Sequence, residues 1–246
     1  MPLPRLVSST LFAGVIATSA AAEGTLILFA NGEELATEGF LAPELTRDGW
    51  ELRFDHIFVT LSGVAALQTD PPYDAEAGGV PEASVTASFD DADQITIDLT
   101  DTDTDGRVRI ASVTAPQGHY NAVTWSVVPA AAGDWVGQSI VFVGTATRDG
   151  ETVDFTLTSA DTHDYTCGEF VGDTRKGLVT PGAEADLELT FHLDHVFGRA
   201  DRDASGHMNS HALGFDAFGA GGTQEIALSG LHIGHVGEGH CAVSYR

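Results

Sequence analysis

One lysine, Lys176, stands in the whole chain, and only 11 basic side chains face 36 acidic ones, giving a formal net charge of −25. A phosphate backbone or an anionic membrane surface is bound through a basic patch, so nucleic acid is excluded as a partner. Beyond Thr18 no run approaches the roughly 20 apolar residues of a transmembrane helix, so no membrane insertion is expected of the mature protein. Catalytic signatures are missing too: there is no G-x-S-x-G elbow, no HExxH, no Walker loop and no G-x-G-x-x-G in a βαβ setting. Cysteine is limited to Cys167 and Cys241. In an oxidising compartment such a pair reads as one structural disulfide, with a thiolate ligand as the alternative because Cys241 follows His240.

What is present begins with an export pattern. Arg5 precedes the short apolar run Leu6 to Thr18, and Ala20-Ala21-Ala22 offers a small-residue cleavage site before the chain turns polar at Glu23. Residues 1–22 are expected to be a secretory signal peptide, and 23–246 a single soluble domain, periplasmic or secreted. The excess of carboxylates is in the first place a solvated face that maintains solubility, not evidence of a cation site.

Short β-branched and aromatic runs, broken by Gly, Pro, Asp and Asn, fill the mature part. Strands are predicted at Thr25–Ala30, Trp50–Leu61, Ser84–Phe89, Gln94–Leu99, Arg107–Thr114 and Tyr120–Val128. Further ones follow at Ser139–Thr147, Thr152–Thr158, Ala185–Phe197, Glu225–His232 and His240–Tyr245. Asn31-Gly32 and Asp149-Gly150 are dipeptides that tight hairpin turns prefer, and the turn at Arg148–Glu151 is the clearer hairpin. The expected fold is all-β, an antiparallel β-sandwich or barrel of about ten strands with at most one or two short helices, one of them around Asn209 to Phe218. Thr166–Gly182 reads as a long loop.

Within this pattern a phrase repeats. Leu52-Arg53-Phe54-Asp55-His56-Ile57-Phe58 returns as Phe191-His192-Leu193-Asp194-His195-Val196-Phe197. At period two, His56 shares a face with Leu52, Phe54 and Phe58, and His195 shares one with Phe191, Leu193 and Phe197. Each strand is thus expected to present one imidazole from an apolar inward face. Two such imidazoles in a two-sheet fold could meet and be satisfied together by a metal, the bland alternative being a core histidine bonded to a carbonyl or carboxylate.

The C-terminal phrase Leu231-His232-Ile233-Gly234-His235-Val236-Gly237-Glu238-Gly239-His240-Cys241 adds three imidazoles and a carboxylate, with glycines that let the backbone fold around an ion. Neutral imidazole suits Zn, Cu, Fe and Ni, and a carboxylate adds charge or fixes ring orientation. A Gly-rich turn with solvent-exposed histidines would read the same way. A third group lies in Asp201-Arg202-Asp203-Ala204-Ser205-Gly206-His207-Met208-Asn209-Ser210-His211. It starts like a calcium loop but has Ala212 where the bidentate carboxylate belongs. His207 and His211 stand four apart, as on one helix face, and the Met208 thioether would suit copper. Asp101, Asp103 and Asp105 also begin a calcium-loop pattern, though an acidic turn between two strands accounts for them. His119 and His163 read as turn residues, and His119 could reach a central site if its strand neighbours that of His56.

The phrase Gly32-Glu33-Glu34…Asp48-Gly49-Trp50-Glu51-Leu52…Phe58-Val59…Gly63-Val64 resembles the opening of bacterial periplasmic β proteins of the MbnP-like, copper-associated kind. The resemblance implies a secreted β domain that binds copper through histidine. No ligand of that family is matched to a position in this chain.

Taken together, the residues point to a periplasmic, non-catalytic transition-metal-binding protein that buffers or scavenges metal, or hands it to a transporter or an apo-metalloprotein. Zn²⁺ is the first choice and Cu²⁺ the second. The expected ligands are His56 and His195, with His192 beside the latter, and His232, His235 and His240. Asp55, Asp194 and Glu238 would be ligands or orienting partners, and His207 and His211 a more exposed second site. The alternatives are a carbohydrate-binding or adhesion module built on Trp50, Trp125 and Trp135, and a metallo-hydrolase.

Overall fold

Alternating apolar and polar residues make the strands of this chain, and Gly, Asp and Pro end them. The computed structural model describes residues 22–89, 93–168, 176–236 and 240–246, so the expected signal segment up to residue 21 lies outside the described residues. In chain order the strands begin with β1 (Glu23–Asn31), β2 (Glu51–Thr69), β3 (Ala83–Ser88), β4 (Ile95–Asp98) and β5 (Val108–Pro116). They continue with β6 (Gly118–His119), β7 (Ala122–Val127), β8 (Ile140–Arg148), β9 (Glu151–Ser159) and β10 (His163–Gly168). The last five are β11 (Leu178–Val179), β12 (Glu184–Phe191), β13 (Gly222–Glu225), β14 (Gly234–Val236) and β15 (His240–Tyr245). Three short α-helices, α1 (Glu33–Thr37), α2 (Asp194–Phe197) and α3 (His207–His211), and a 3-10 turn at Asp216–Phe218 interrupt them.

The strands form an all-β sandwich and not a closed barrel. One sheet has the order β14-β12-β1-β5; the larger runs β13-β9-β8-β2-β7-β10-β15, with β3 and β4 also paired to β2. Against the expected ten or so strands there are fifteen among the described residues, because β6, β11 and β14 are only two or three residues long and because the expected Thr166–Gly182 loop is corrected to begin inside β10 and to contain β11. Such stubs carry no readable alternation. Two pairings, β1 with β12 and β9 with β13, are parallel. Asp149-Gly150 forms the β8–β9 hairpin with positive φ at both positions (53° and 85°), as a type I′ turn requires. Asn31-Gly32 instead leads from β1 into α1.

A continuous core fills the space between the sheets, with Leu26, Leu28, Leu187 and Leu189 from the small sheet and Ile57, Val59, Phe142 and Leu157 from the large one. At one end Phe54 lies 6.0–6.3 Å from Phe40, Phe142, Phe155 and Phe197, ring centre to ring centre. Phe197, fully buried, is the last residue of α2. Burying one such ring contributes about 2 kcal/mol, which anchors this helix to the core.

The repeated phrase folds in two different ways. In β2 a bulge falls between Phe54 and His56 and resets the alternation, so Leu52, Ile57 and Val59 are buried while His56 is exposed. The expected inward imidazole of His56 is therefore corrected: its ring stacks on Phe58 and its Nδ1 lies 2.6 Å from Asp98 Oδ2. In the second copy β12 stops at Phe191, and the chain turns into α2, which Gly198 ends with φ 65°. The single strand expected over Ala185–Phe197 is thus a strand followed by a helix. Likewise the strand expected at Glu225–His232 ends at Glu225, and His163, read as a turn residue, is buried in β10.

Asp98 holds the bulge. Its Oδ1 accepts from the Ile57 and Thr100 backbone N–H groups and the Thr100 hydroxyl, and its Oδ2 takes His56. Burial pushes this carboxyl up, but those bonds outweigh it and hold its pKa below the usual 3.8. A depressed carboxylate stabilises above its unfolded pKa and loses that contribution as pH falls through the lower folded value. Asp98→Ala should cost about 1–3 kcal/mol at neutral pH, measured by denaturant unfolding, and the gap to wild type should close as pH falls below that range. Cys167 and Cys241 face each other across β10 and β15 as a disulfide, 74 positions apart. Replacing both by Ser should lower stability by about 4 kcal/mol through loop-closure entropy, read in the same unfolding assay.

Candidate metal centre

Two segments far apart in sequence are laid side by side by one short antiparallel contact. β14 pairs with the end of β12 in the register Leu189↔Val236, Thr190↔His235 and Phe191↔Gly234, and the His192 N–H donates to the Ile233 carbonyl over 2.9 Å. His192 and His195 thereby come beside His232 and His235. The contact depends on Gly234. A Cβ there would lie 2.4 Å from the Trp125 ring and 2.9 Å from Tyr165, whose rings stack 4.1 Å apart directly beneath.

The four imidazoles form a chain of ring contacts. His232 and His235 stack at 4.7 Å, His235 meets His192 edge-on at 4.6 Å, His192 stacks on His195 at 5.2 Å, and His195 lies 6.1 Å from His235. Two imidazoles sharing one tetrahedral ion, with metal–nitrogen bonds of about 2.0 Å, have ring centres about 5 Å apart. The spacing is therefore that of ligands to a common ion. Among the described residues, however, no group of three His, Cys, Asp or Glu side chains is arranged so as to hold a metal.

The outer nitrogens are tied. His192 Nδ1 lies 3.0 Å from Glu33 Oε2, and His195 Nδ1 bonds the His232 carbonyl. An acceptor at Nδ1 fixes the proton of a neutral ring there and leaves the Nε2 lone pair for a ligand, the arrangement of carboxylate–histidine–metal and carbonyl–histidine–metal sites. Glu33 occupies the left-handed region, with φ 55°, and its N–H donates to Asn31 Oδ1, a strained placement that aims the carboxylate at His192. Burial disfavours the charged His192 ring, but the Glu33 bond and charge outweigh it and raise its pKa. The Glu33 carboxyl is held below its usual range, first by the His192 hydrogen bond and then, against burial, by the charges of His192, His195 and His235. His232 is driven the other way, chiefly by burial and then by the neighbouring imidazoles, so its ring favours the neutral form. Its Nε2 is buried with no hydrogen-bond partner. A buried acceptor left empty costs about 1–3 kcal/mol.

Beside this cluster opens a cavity of about 620 Å³. His195, His232 and His235 line it from the inner side, and His207, Met208 and His211 from α3. The α3 rings are 4.6 Å apart, and His211 Nδ1 donates to the His207 carbonyl at 2.9 Å. His240 and Glu76, both exposed and 4.0 Å apart, stand at the same cavity. Asn209, buried on α3, braces it: its Oδ1 accepts from the Arg199 N–H, and its Nδ2 donates to the Arg199 and Asp203 carbonyls. Arg47 adds two bonds to the carbonyls of Asn209 and Ala212.

Of the residues expected at a site, His195, His232, His235, His240, His207 and His211 line this cavity, and His192 touches it through His195 and His235. His56 does not, being bound to Asp98, and His119 sits exposed on β6 paired to β11. The idea that the repeat brings His56 and His195 together is corrected by the β2 bulge. Asp194 presents a buried oxygen without a partner and faces the Glu33 side. Glu238 lies outside the described residues. The cysteines are oxidised and supply no thiolate, although Cys241 forms part of the cavity wall. Asp201 is held by Arg199, and Asp203 accepts from Ser205, as in a plain Asx turn. Asp103 does the same with the Asp105 and Arg107 N–H groups, so the acidic segment at Asp101, Asp103 and Asp105 is a turn between β4 and β5. Trp50 and Trp125 are core residues and offer no aromatic platform for a sugar. Sequence reasoning missed the role of Glu33, which lies 159 positions from the ring it binds and leaves no local signal. Asn209 was missed although the partners of its side chain, Arg199 and Asp203, lie only 10 and 6 positions away.

Comparison with protein-family models, with curated proteins and with solved structures gives no match to this chain. Gly234→Ala should lower stability by about 1–3 kcal/mol by overpacking against Trp125. In the same variant the near-ultraviolet dichroism of the Trp125–Tyr165 stack should change, which separates displacement of β14 from a loss at some other site.

Proposed function

We propose that this is an extracytoplasmic transition-metal-binding protein whose ion is held by the imidazoles of His192, His195, His232 and His235, with Zn²⁺ as the first candidate and copper as the second. The observation that carries this is the buried, unpartnered Nε2 of His232 inside a cluster whose neighbouring rings are tied at Nδ1 by Glu33 and the His232 carbonyl. Buried imidazole nitrogens are normally satisfied, and an ion would satisfy several of these at once. Glu33 favours the charged His192 ring, and an ion at Nε2 would displace the Nε2 proton of that form while the Nδ1 proton stays hydrogen-bonded to Glu33, so uptake would be coupled to proton release.

The disulfide supports an oxidising compartment, in agreement with the export pattern at the N-terminus. The reading is of a buffer, scavenger or chaperone that passes its ion to a transporter or an apo-metalloprotein.

Untagged protein should bind about one Zn²⁺ per chain tightly enough for calorimetric titration, with release of protons into the buffer. His195→Ala with His232→Ala should abolish that binding, whereas His56→Ala should leave it intact. Glu33→Gln should weaken it about 10- to 100-fold, the usual effect of removing an orienting carboxylate. Retention of full affinity in the His195/His232 double variant, or no stoichiometric metal in wild type, would refute the reading.

A further inference from the structure

We infer that the α3 side of the same cavity is a second metal site of different chemistry, a copper(I) acquisition site built from His207, Met208 and His211. The inference rests on the reading of the inner cluster as metal-binding, but uses other residues. His207 and His211 are exposed, four apart on one helical turn, with rings 4.6 Å apart, the separation at which two imidazoles share an ion. His211 is already fixed for the purpose: its Nδ1 proton goes to the His207 carbonyl, leaving Nε2 as the donor. Met208, half-buried and between them in sequence, is one of the residues that line the cavity.

The donor set decides the ion. Thioether sulfur is a soft, neutral ligand that copper(I) accepts and that zinc, magnesium or calcium do not select. Two imidazoles and a thioether therefore discriminate in favour of copper(I), whereas the inner set, four imidazoles backed by a carboxylate, takes zinc as well. The positions also differ in exposure. His207 and His211 are exposed where His195, His232 and His235 are half-buried, and all five line one cavity. Asn209 braces α3 through its hydrogen bonds with Arg199.

The test is an anaerobic competition titration of the full-length mature chain with copper(I) held by a chromophoric chelator, beside a Zn²⁺ titration, with X-ray absorption at the copper edge. Wild type should show copper with a sulfur scatterer. Met208→Leu, which conserves volume, should remove that scatterer and weaken the copper(I) site about tenfold or more while zinc affinity is unchanged. His195→Ala with His232→Ala should lose zinc yet keep the sulfur-ligated copper. Copper affinity unaltered in Met208→Leu, or sulfur-ligated copper lost in the inner double variant, overturns the inference. Zinc binding without sulfur-ligated copper in wild type overturns it alone, whereas sulfur-ligated copper without zinc leaves it standing and removes the inner site.

Discussion

The site depends on the three-residue contact of β14 with β12, which, with the His192 N–H bond to the Ile233 carbonyl, sets residues 232–235 against residues 189–192 among the described residues. It can form because position 234 has no side chain. The strand lies so close to the Trp125–Tyr165 stack that a single methyl group would have to displace an indole. From this approach follow the stacking of His232 with His235, the edge contact of His235 with His192, and the cavity that opens beside them. The rest of the sandwich serves to fix the two ends of that contact. Phe197, inserted among Phe40, Phe54 and Phe142, pins α2 and so His195. Cys241, bonded to Cys167, pins the strand that follows β14.

Four imidazoles so close together cannot all be charged, and the structure resolves this unevenly. Glu33 supports a proton on His192, whereas burial and the neighbouring rings drive His232 towards the neutral form. A cluster that divides its protonation in this way keeps at least one lone pair ready inside the protein without an isolated buried charge. The His232 Nε2 is buried without a hydrogen-bond partner, as is the His163 Nε2 in β10, so it is the setting of His232 among three further imidazoles that sets it apart.

Much of the sandwich was legible because alternation in strands of six or more residues survives tertiary packing, as in β1, β8 and β9, and because Asp149-Gly150 can only be a turn of one hand. The pairing of the cysteines was legible from their number. Period two misled wherever the ladder is irregular. At Phe54–His56 one inserted residue turns His56 outward, and at Phe191 the same kind of phrase leaves the sheet for a helix. Two phrases alike in their Asp-His pair and final Phe thus met two tertiary settings. His232, His235, His207 and His211 were legible as donors because each group is local. Glu33 and Asn209 were not, since their meaning comes from partners that only the folded chain supplies.

The place of Cys241 in the cavity wall has a redox consequence. Strand β15 borders the histidine cavity and is held to β10 by the bond to Cys167, so oxidation belongs to the assembly of this wall. Without that bond β15 would be held at the wall by its ladder with β10 alone, so the redox state of one cysteine pair reaches the histidine cavity directly.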